Sequence, residues 1–194
     1  MTAAPPFPGP VTRGLALINQ ILRCNSQCYE FSDNTADGFW GSFRAAWLAL
    51  PVYMVQFVQS YGQDPLSKGT GEFTWITFQL VVYALGWLAY PVIMEFVTRM
   101  VGCRAYWCRY FVAFNWFQLA LALALLPIII LASLLSLPPH VMSLPIVMLG
   151  FAMIGYHWFI ARTMLELDGL TAAGIVILEL FVSLLVNGGT RLLV

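Results

Sequence analysis

YFVAFNWFQLALALALLPIIILASLLSL, residues 110–137, is an apolar run broken only by an Asn, a Gln, two serines and one proline, and its length decides the fold. A helix needs about 20 mostly apolar residues to cross a hydrocarbon layer roughly 30 Å thick, since each residue rises about 1.5 Å. Four more windows meet or approach that length: 38–61 and 73–97 before it, 141–165 and the shortest, 171–186, after it. The SLPPH sequence at 136–140 carries two prolines that end one helix and turn the chain into the next, which predicts a tight hairpin. The expected fold is all-α: a polytopic transmembrane bundle of about five helices forming a single domain over residues 38–194. Four spans with a re-entrant or interfacial fifth is the alternative.

Composition points the same way. Of the 194 residues 60% are apolar and only 9% charged, against about 25% charged in an ordinary soluble domain, so a water-facing surface cannot be covered. Nine basic and nine acidic side chains give no net charge, and no basic run exists to neutralise a phosphate backbone. Nucleic acid is therefore not an expected partner.

Orientation follows from the basic residues. On alternating spans Arg13, Arg23, Arg44, Arg99, Arg104, Arg109 and Arg162 fall on the side of the N-terminus, and Lys68 and Arg191 on the other. This bias predicts a cytoplasmic N-terminus and an external C-terminus. The opening MTAAPPFPGP has neither the charged nor the apolar region of a cleavable signal, and residues 1–10 are expected to be a disordered cytoplasmic tail. Within residues 11–31, Val11, Leu15, Leu17, Ile18, Ile21 and Leu22 recur at helical spacing opposite Arg13, Asn19, Gln20 and Arg23, which predicts an interfacial amphipathic helix followed by a linker. Phe39, Trp40, Phe43, Phe73, Trp75, Tyr106, Trp107 and Tyr110 crowd the span ends and read as aromatic belts at headgroup level.

Ionisable groups within apolar runs are the informative ones, because each costs about 2.5–3.5 kcal/mol at a helix centre unless it finds a partner or water. Counting helix rise from the cytoplasmic ends puts Glu179 and His157 both about 12 Å deep, Asn115 about 9 Å, Gln118 and Tyr90 about 13 Å, and Glu95 about 6 Å. These six define an expected polar layer in the cytoplasmic half, beneath outer halves that read as sealed. As glue the layer fixes helix packing at about 0.6–2 kcal/mol per contact; as a site it is a half-channel, a proton-accepting pair or a headgroup cavity. Pro51, Pro91, Pro127 and Pro145 each remove a backbone hydrogen bond from a span and can kink it.

Cys24 and Cys28 form C-x₃-C and Cys103 and Cys108 C-x₄-C, unlike zinc knuckles, so reduced thiols and no metal or other cofactor are expected. The hydrolase, zincin, phosphate-loop and dinucleotide motifs do not occur, and the chain reads as a non-enzyme.

TRMVGCRAYWCRYFVAFNWFQLALALALLPIII, the LPPH turn, and GYHWFIARTMLELDGLTAAGIVILELFVSLLV together resemble the last three spans of the Yip superfamily. Gly102, Tyr106, Phe111, Pro127, Gly155, Tyr156 and 172–174 occupy places comparable to that family's pattern. The resemblance implies five spans with a cytoplasmic N-terminus, but the long N-terminal domain and GTPase-related role of the eukaryotic members have no counterpart here. DGFWGSFRAAWLALPVY also resembles uncharacterised multi-pass inner-membrane proteins of alphaproteobacteria.

Two functions follow as expectations. One is a non-catalytic membrane organiser or accessory subunit of a larger assembly, whose partners are membrane lipids and other membrane proteins. The other is a small permease or proton-coupled carrier working through the polar layer. A water-filled cavity reaching Glu179 favours the carrier, and a dry, fully paired layer favours the organiser.

Overall fold

The structure, a computed structural model, describes residues 9–61, 67, 69–135 and 139–192. Of the tail expected at residues 1–10, residues 1–8 lie outside them, as does the centre of the SLPPH turn, and Pro10 is not tail but the first residue of a helix, since proline suits a helix start. Seven α-helices and two 3₁₀ turns account for most of the described chain, and no strand occurs among the described residues. They are α1 (Pro10–Leu22), α2 (Ala36–Ser42), α3 (Arg44–Ser60), α4 (Glu72–Val101), α5 (Trp107–Leu134), α6 (Pro139–Met164) and α7 (Gly169–Leu192), with 3₁₀ turns at Ser26–Phe31 and Arg104–Tyr106.

Four of these, α4 to α7, contain stretches long and apolar enough to cross a membrane. The window at 38–61 is divided at Phe43 into α2 and α3, so α3 keeps 17 residues and is not one of the four. The division has a local cause. Ser42 Oγ donates to the Phe39 carbonyl at 2.6 Å, and Asn115 of α5 donates to Ser42 Oγ at 2.8 Å, so the junction is tied to α5.

Helix α5 is the centre of the fold. Tyr110, Phe111, Phe114, Trp116 and Phe117 are all buried, because α1, α2, α3 and α6 pack around it. Helix α7 then packs on α6, and α4 packs on α7 while touching α3 and α5 lightly. Exposed apolar side chains such as Phe151, Ile177 and Leu184 cover the outward faces of α6 and α7.

Part of the apolar face expected on the N-terminal helix lies against protein. Leu17, Ile18 and Ile21 are buried, whereas Val11, Leu15 and Leu22 are exposed. The close approach needs Gly14, since a Cβ there would stand 2.2 Å from the Trp116 ring.

The turn between α6 and α7 is held by carboxylates. Arg109 Nη2 lies 2.9 Å from Glu166 Oε1, a hydrogen bond that keeps the Glu166 carboxyl below its ordinary 4.5. Asp168 caps α7, accepting from the Thr171 hydroxyl at 2.5 Å and from the backbone N–H groups of Leu170 and Thr171 at 3.0 and 3.2 Å. The Thr171 bonds, chiefly the hydroxyl, hold its carboxyl below 3.8.

Two outcomes are expected. Gly14→Ala forces α1 off the Trp116 ring and destabilises the protein by about 1–3 kcal/mol, seen in thermal unfolding and in faster proteolysis of the N-terminal helix. Because Glu166 and Asp168 have lowered folded-state values, their stabilisation is present above about pH 4.5 and is lost as pH falls through those values. Melting temperature between pH 6 and 3 therefore drops less in the Glu166→Gln, Asp168→Asn double variant than in wild type.

Candidate functional site

His157 on α6 and Glu179 on α7 meet inside the bundle. Nδ1 of the imidazole stands 2.5 Å from Oε1 of the carboxyl, with the His157 side chain 1% and the Glu179 side chain 8% exposed. The approach is at ion-pair distance, but its angle is not that of a hydrogen bond, and both imidazole nitrogens and Glu179 Oε2 lack a hydrogen-bond partner among the described residues. Polar atoms so deeply buried are nearly always paired, so an under-satisfied cluster of this kind is where a proton, water or ligand belongs.

The imidazole is positioned by rings. Phe114 and Phe117, one turn apart on α5, lie with centroids 5.1 and 5.4 Å from that of His157. Helix α5 thus fills one side of the imidazole and α7 supplies the acid on another.

Glu179 also lines a cavity of about 360 Å³ between α3, α4, α5 and α7. Its amides are Asn115 and Gln118 from α5 and Gln79 from α4; its hydroxyl groups are Tyr53, Tyr83, Tyr90 and Ser183. Phe57, Trp87 and Phe114 complete the aromatic wall, and among the described residues the lining holds no Lys or Arg.

By helix rise, Gln79 lies about 16 Å beyond Tyr90 on α4, away from Arg99 and Arg104. The cavity therefore runs through the half of the bundle expected to be sealed. The reason is geometric: α4 leans on α7 and leaves a gap toward α3 and α5, and nothing lies within 4 Å of a Cβ built at Gly86 on its wall.

At the other end the packing is dense. Tyr90 and Tyr110 hydroxyls lie 2.7 Å apart, and Phe111 and Phe114 pack on the Tyr90 ring at 5.7 and 5.0 Å. Tyr110 and Phe111 are at most 1% exposed.

Of the six residues expected in a polar layer, the structure gathers five around this space: Glu179, Asn115, Gln118 and Tyr90 line the cavity, and His157 contacts Glu179 from behind. Glu95 is a correction to that expectation. It turns to the basic end, where its Oε1 accepts from Arg99 Nε at 2.9 Å and Arg104 Nε at 2.7 Å, because two guanidinium groups stabilise the carboxylate more than an amide layer can. Asn115 divides its role, since its amide also secures Ser42.

Sequence reasoning passed over Tyr53 and Tyr83. Their rings lie 4.9 Å apart, and Tyr83 donates to the Ala46 carbonyl at 2.8 Å, bracing α4 against α3. Tyr83 and Tyr90 recur at helical spacing on one face of α4, a signal that counting depth alone does not use.

Among the described residues no group of three or more His, Cys, Asp or Glu is placed to hold a metal ion. The four cysteines are free; burial pushes the Cys28 thiol up to about 11, which keeps it protonated at neutral pH. Comparison with family models, curated proteins and solved structures finds no match to this chain.

The coupling of His157 to Glu179 is measurable. Replacing His157 by Phe fills the space between Phe114 and Phe117 but removes the group facing the acid, and stability falls by about 1–3 kcal/mol in chemical unfolding. The double variant His157→Phe, Glu179→Leu recovers part of that loss, and strict additivity of the two substitutions would show the pair to be uncoupled.

Proposed function

We propose that the protein is a multi-pass membrane protein whose Glu179–His157 pair accepts a proton beside a solute cavity, making it a small proton-coupled carrier. The observation that carries the reading is the meeting of an under-satisfied buried acid and imidazole with a cavity of about 360 Å³ at the acid. Cavities of about 300–1,000 Å³ are the usual size for small ligands, and buried ionisable groups facing a cavity are typical of proton and substrate pathways.

The topology in this reading has five crossing segments, with α3 as the first. Its 17 residues rise about 25 Å, and the exposed Trp40 and Trp47 extend the apolar surface at its start. The N-terminus is cytoplasmic, a reading the excess of basic residues at that end supports, and the membrane is the inner membrane, a reading that rests on the sequence resemblance alone. Helix α1 lies along the first turns of α5, so its exposed Val11, Leu15 and Leu22 face the interface. The Tyr90–Tyr110 and Phe111–Phe114 packing closes the cytoplasmic end, and the cavity has access from the opposite half.

A second reading, the membrane organiser or accessory subunit with lipid and membrane-protein partners, rests on the apolar outward faces of α6 and α7. It requires Glu179 and His157 to act as glue.

Reconstituted wild-type protein is expected to carry protons into liposomes holding a pH-sensitive dye under an imposed potential or an imposed gradient of solute, and Glu179→Gln to lower the flux at least tenfold. Glu95→Gln leaves the flux near wild type, because Glu95 belongs to the arginine clamp. Equal flux in Glu179→Gln and wild type, or none in either, moves the protein to the organiser reading.

A further inference from the structure

The chemistry of the cavity wall names a class of solute. Resting on the carrier reading, we propose that the cavity takes an organic ammonium cation, held by the Glu179 carboxylate and by the faces of the surrounding aromatic rings, and that proton and cation occupy the acid in turn.

Three features carry this. Among the described residues the lining has one carboxylic acid, Glu179, and no Lys or Arg, so the field within it attracts cations and repels anions. Tyr53, Phe57, Tyr83, Trp87, Tyr90 and Phe114 surround the space, and six rings without a basic side chain suit a weakly hydrated ammonium far better than a metal ion, which would need oxygen ligands. Glu179 Oε2 is left without a partner among the described residues while Oε1 faces His157, so one oxygen is available to a cation without dismantling the pair.

Exchange follows from charge balance. Burying a carboxylate requires a positive counterpart, which either a bound ammonium or an added proton supplies. The proton enters on the Glu179–His157 pair as the ammonium leaves, and departs as the next ammonium binds. No bond to carbon forms or breaks. Among the described residues, the titratable groups around Glu179 are His157 of α6, Tyr90 of α4 and, on the far side of Tyr90, Tyr110 of α5; α3 presents Tyr53 and α4 Tyr83 to the same cavity.

The test uses benzyltrimethylammonium and its neutral isostere neopentylbenzene, titrated by calorimetry into the full-length protein in lipid nanodiscs. Saturable binding of the ammonium is expected at pH 8, weakening at least tenfold at pH 5 as the proton competes. Neopentylbenzene binds at least tenfold more weakly than the ammonium. Glu179→Gln, isosteric and checked by thermal unfolding, loses the ammonium, and Trp87→Leu weakens it roughly two- to thirtyfold. Equal binding of the neutral isostere by wild type overturns the proposal without depending on any variant, as does unchanged affinity in a folded Glu179→Gln. Ammonium binding with no proton flux defeats the carrier reading and leaves the cation site standing. Proton flux through Glu179 with no ammonium binding does the reverse.

Discussion

The guanidinium of Arg109 ties the central helix to everything downstream of it. It is buried, and a buried charge is tolerated only when its donors are used. Nε and Nη2 donate to the Met164 carbonyl at 2.9 and 2.6 Å, Nη2 reaches Glu166 at 2.9 Å, and the Tyr106 ring covers the guanidinium with its centroid 4.4 Å away. The carbonyl at the end of α6 would otherwise lack a helical partner, so the contact satisfies both sides. The backbone of the same residue receives Ser32 and Asn34: Ser32 Oγ donates to its carbonyl, and its N–H donates to Asn34 Oδ1. One residue thereby fixes the start of α5, the end of α6 and the linker that follows α1.

The position of the acid–imidazole pair depends on that anchor. With the end of α6 pinned to the beginning of α5, His157 is carried into the gap between Phe114 and Phe117, and the short turn through Glu166 and Asp168 sends α7 back alongside. Glu166 takes up a left-handed backbone conformation there, φ 55°, which a non-glycine residue adopts at a cost and which its bond to Arg109 offsets. Counted from Thr171 along α7 and from Leu165 at the end of α6, Glu179 and the imidazole then stand level, each about 12 Å from the turn. The levels match because the two helices run antiparallel from a common turn.

That equality of depth is why the pair was legible before any coordinates. Helix rise is a property of the backbone, so two polar residues at like distances from a shared turn meet unless they face apart. Side-chain choice between partners is not written in depth. Glu95 lies nearer the basic end, and two arginines within reach on Arg99 and Arg104 decide its direction. Arg109 shows the same limit from the other side: in the sequence it is one more basic residue at a span end, and only tertiary packing distinguishes it from the exposed Arg162. Aromatic residues at span ends also divide by packing. Phe39 is buried against Trp107 and Phe111, while Trp40 beside it is exposed, so what composition presents as a single belt is partly an internal cluster. The break at Phe43 was hidden for a similar reason, since its cause is a hydrogen bond from Asn115 across more than seventy residues.

The cavity adds a constraint on how any solute could cross. Its floor is the Tyr90–Tyr110 contact with Phe111 and Phe114, made by α4 and α5, and these two helices touch only lightly elsewhere. In the carrier reading, a route toward the Arg99 end of α4 has to part α4 from α5 at that contact. Pro91 lies one residue from Tyr90 and removes the backbone hydrogen bond that would have reached the Trp87 carbonyl on the cavity wall. A helix weakened there can bend without disturbing the Arg99–Glu95–Arg104 clamp at its end or the α5–α6 anchor at Arg109. The acid and imidazole thus sit on the tightly packed α6–α7 pair beside α5, and the proline-bearing α4 forms the opposite wall of the cavity.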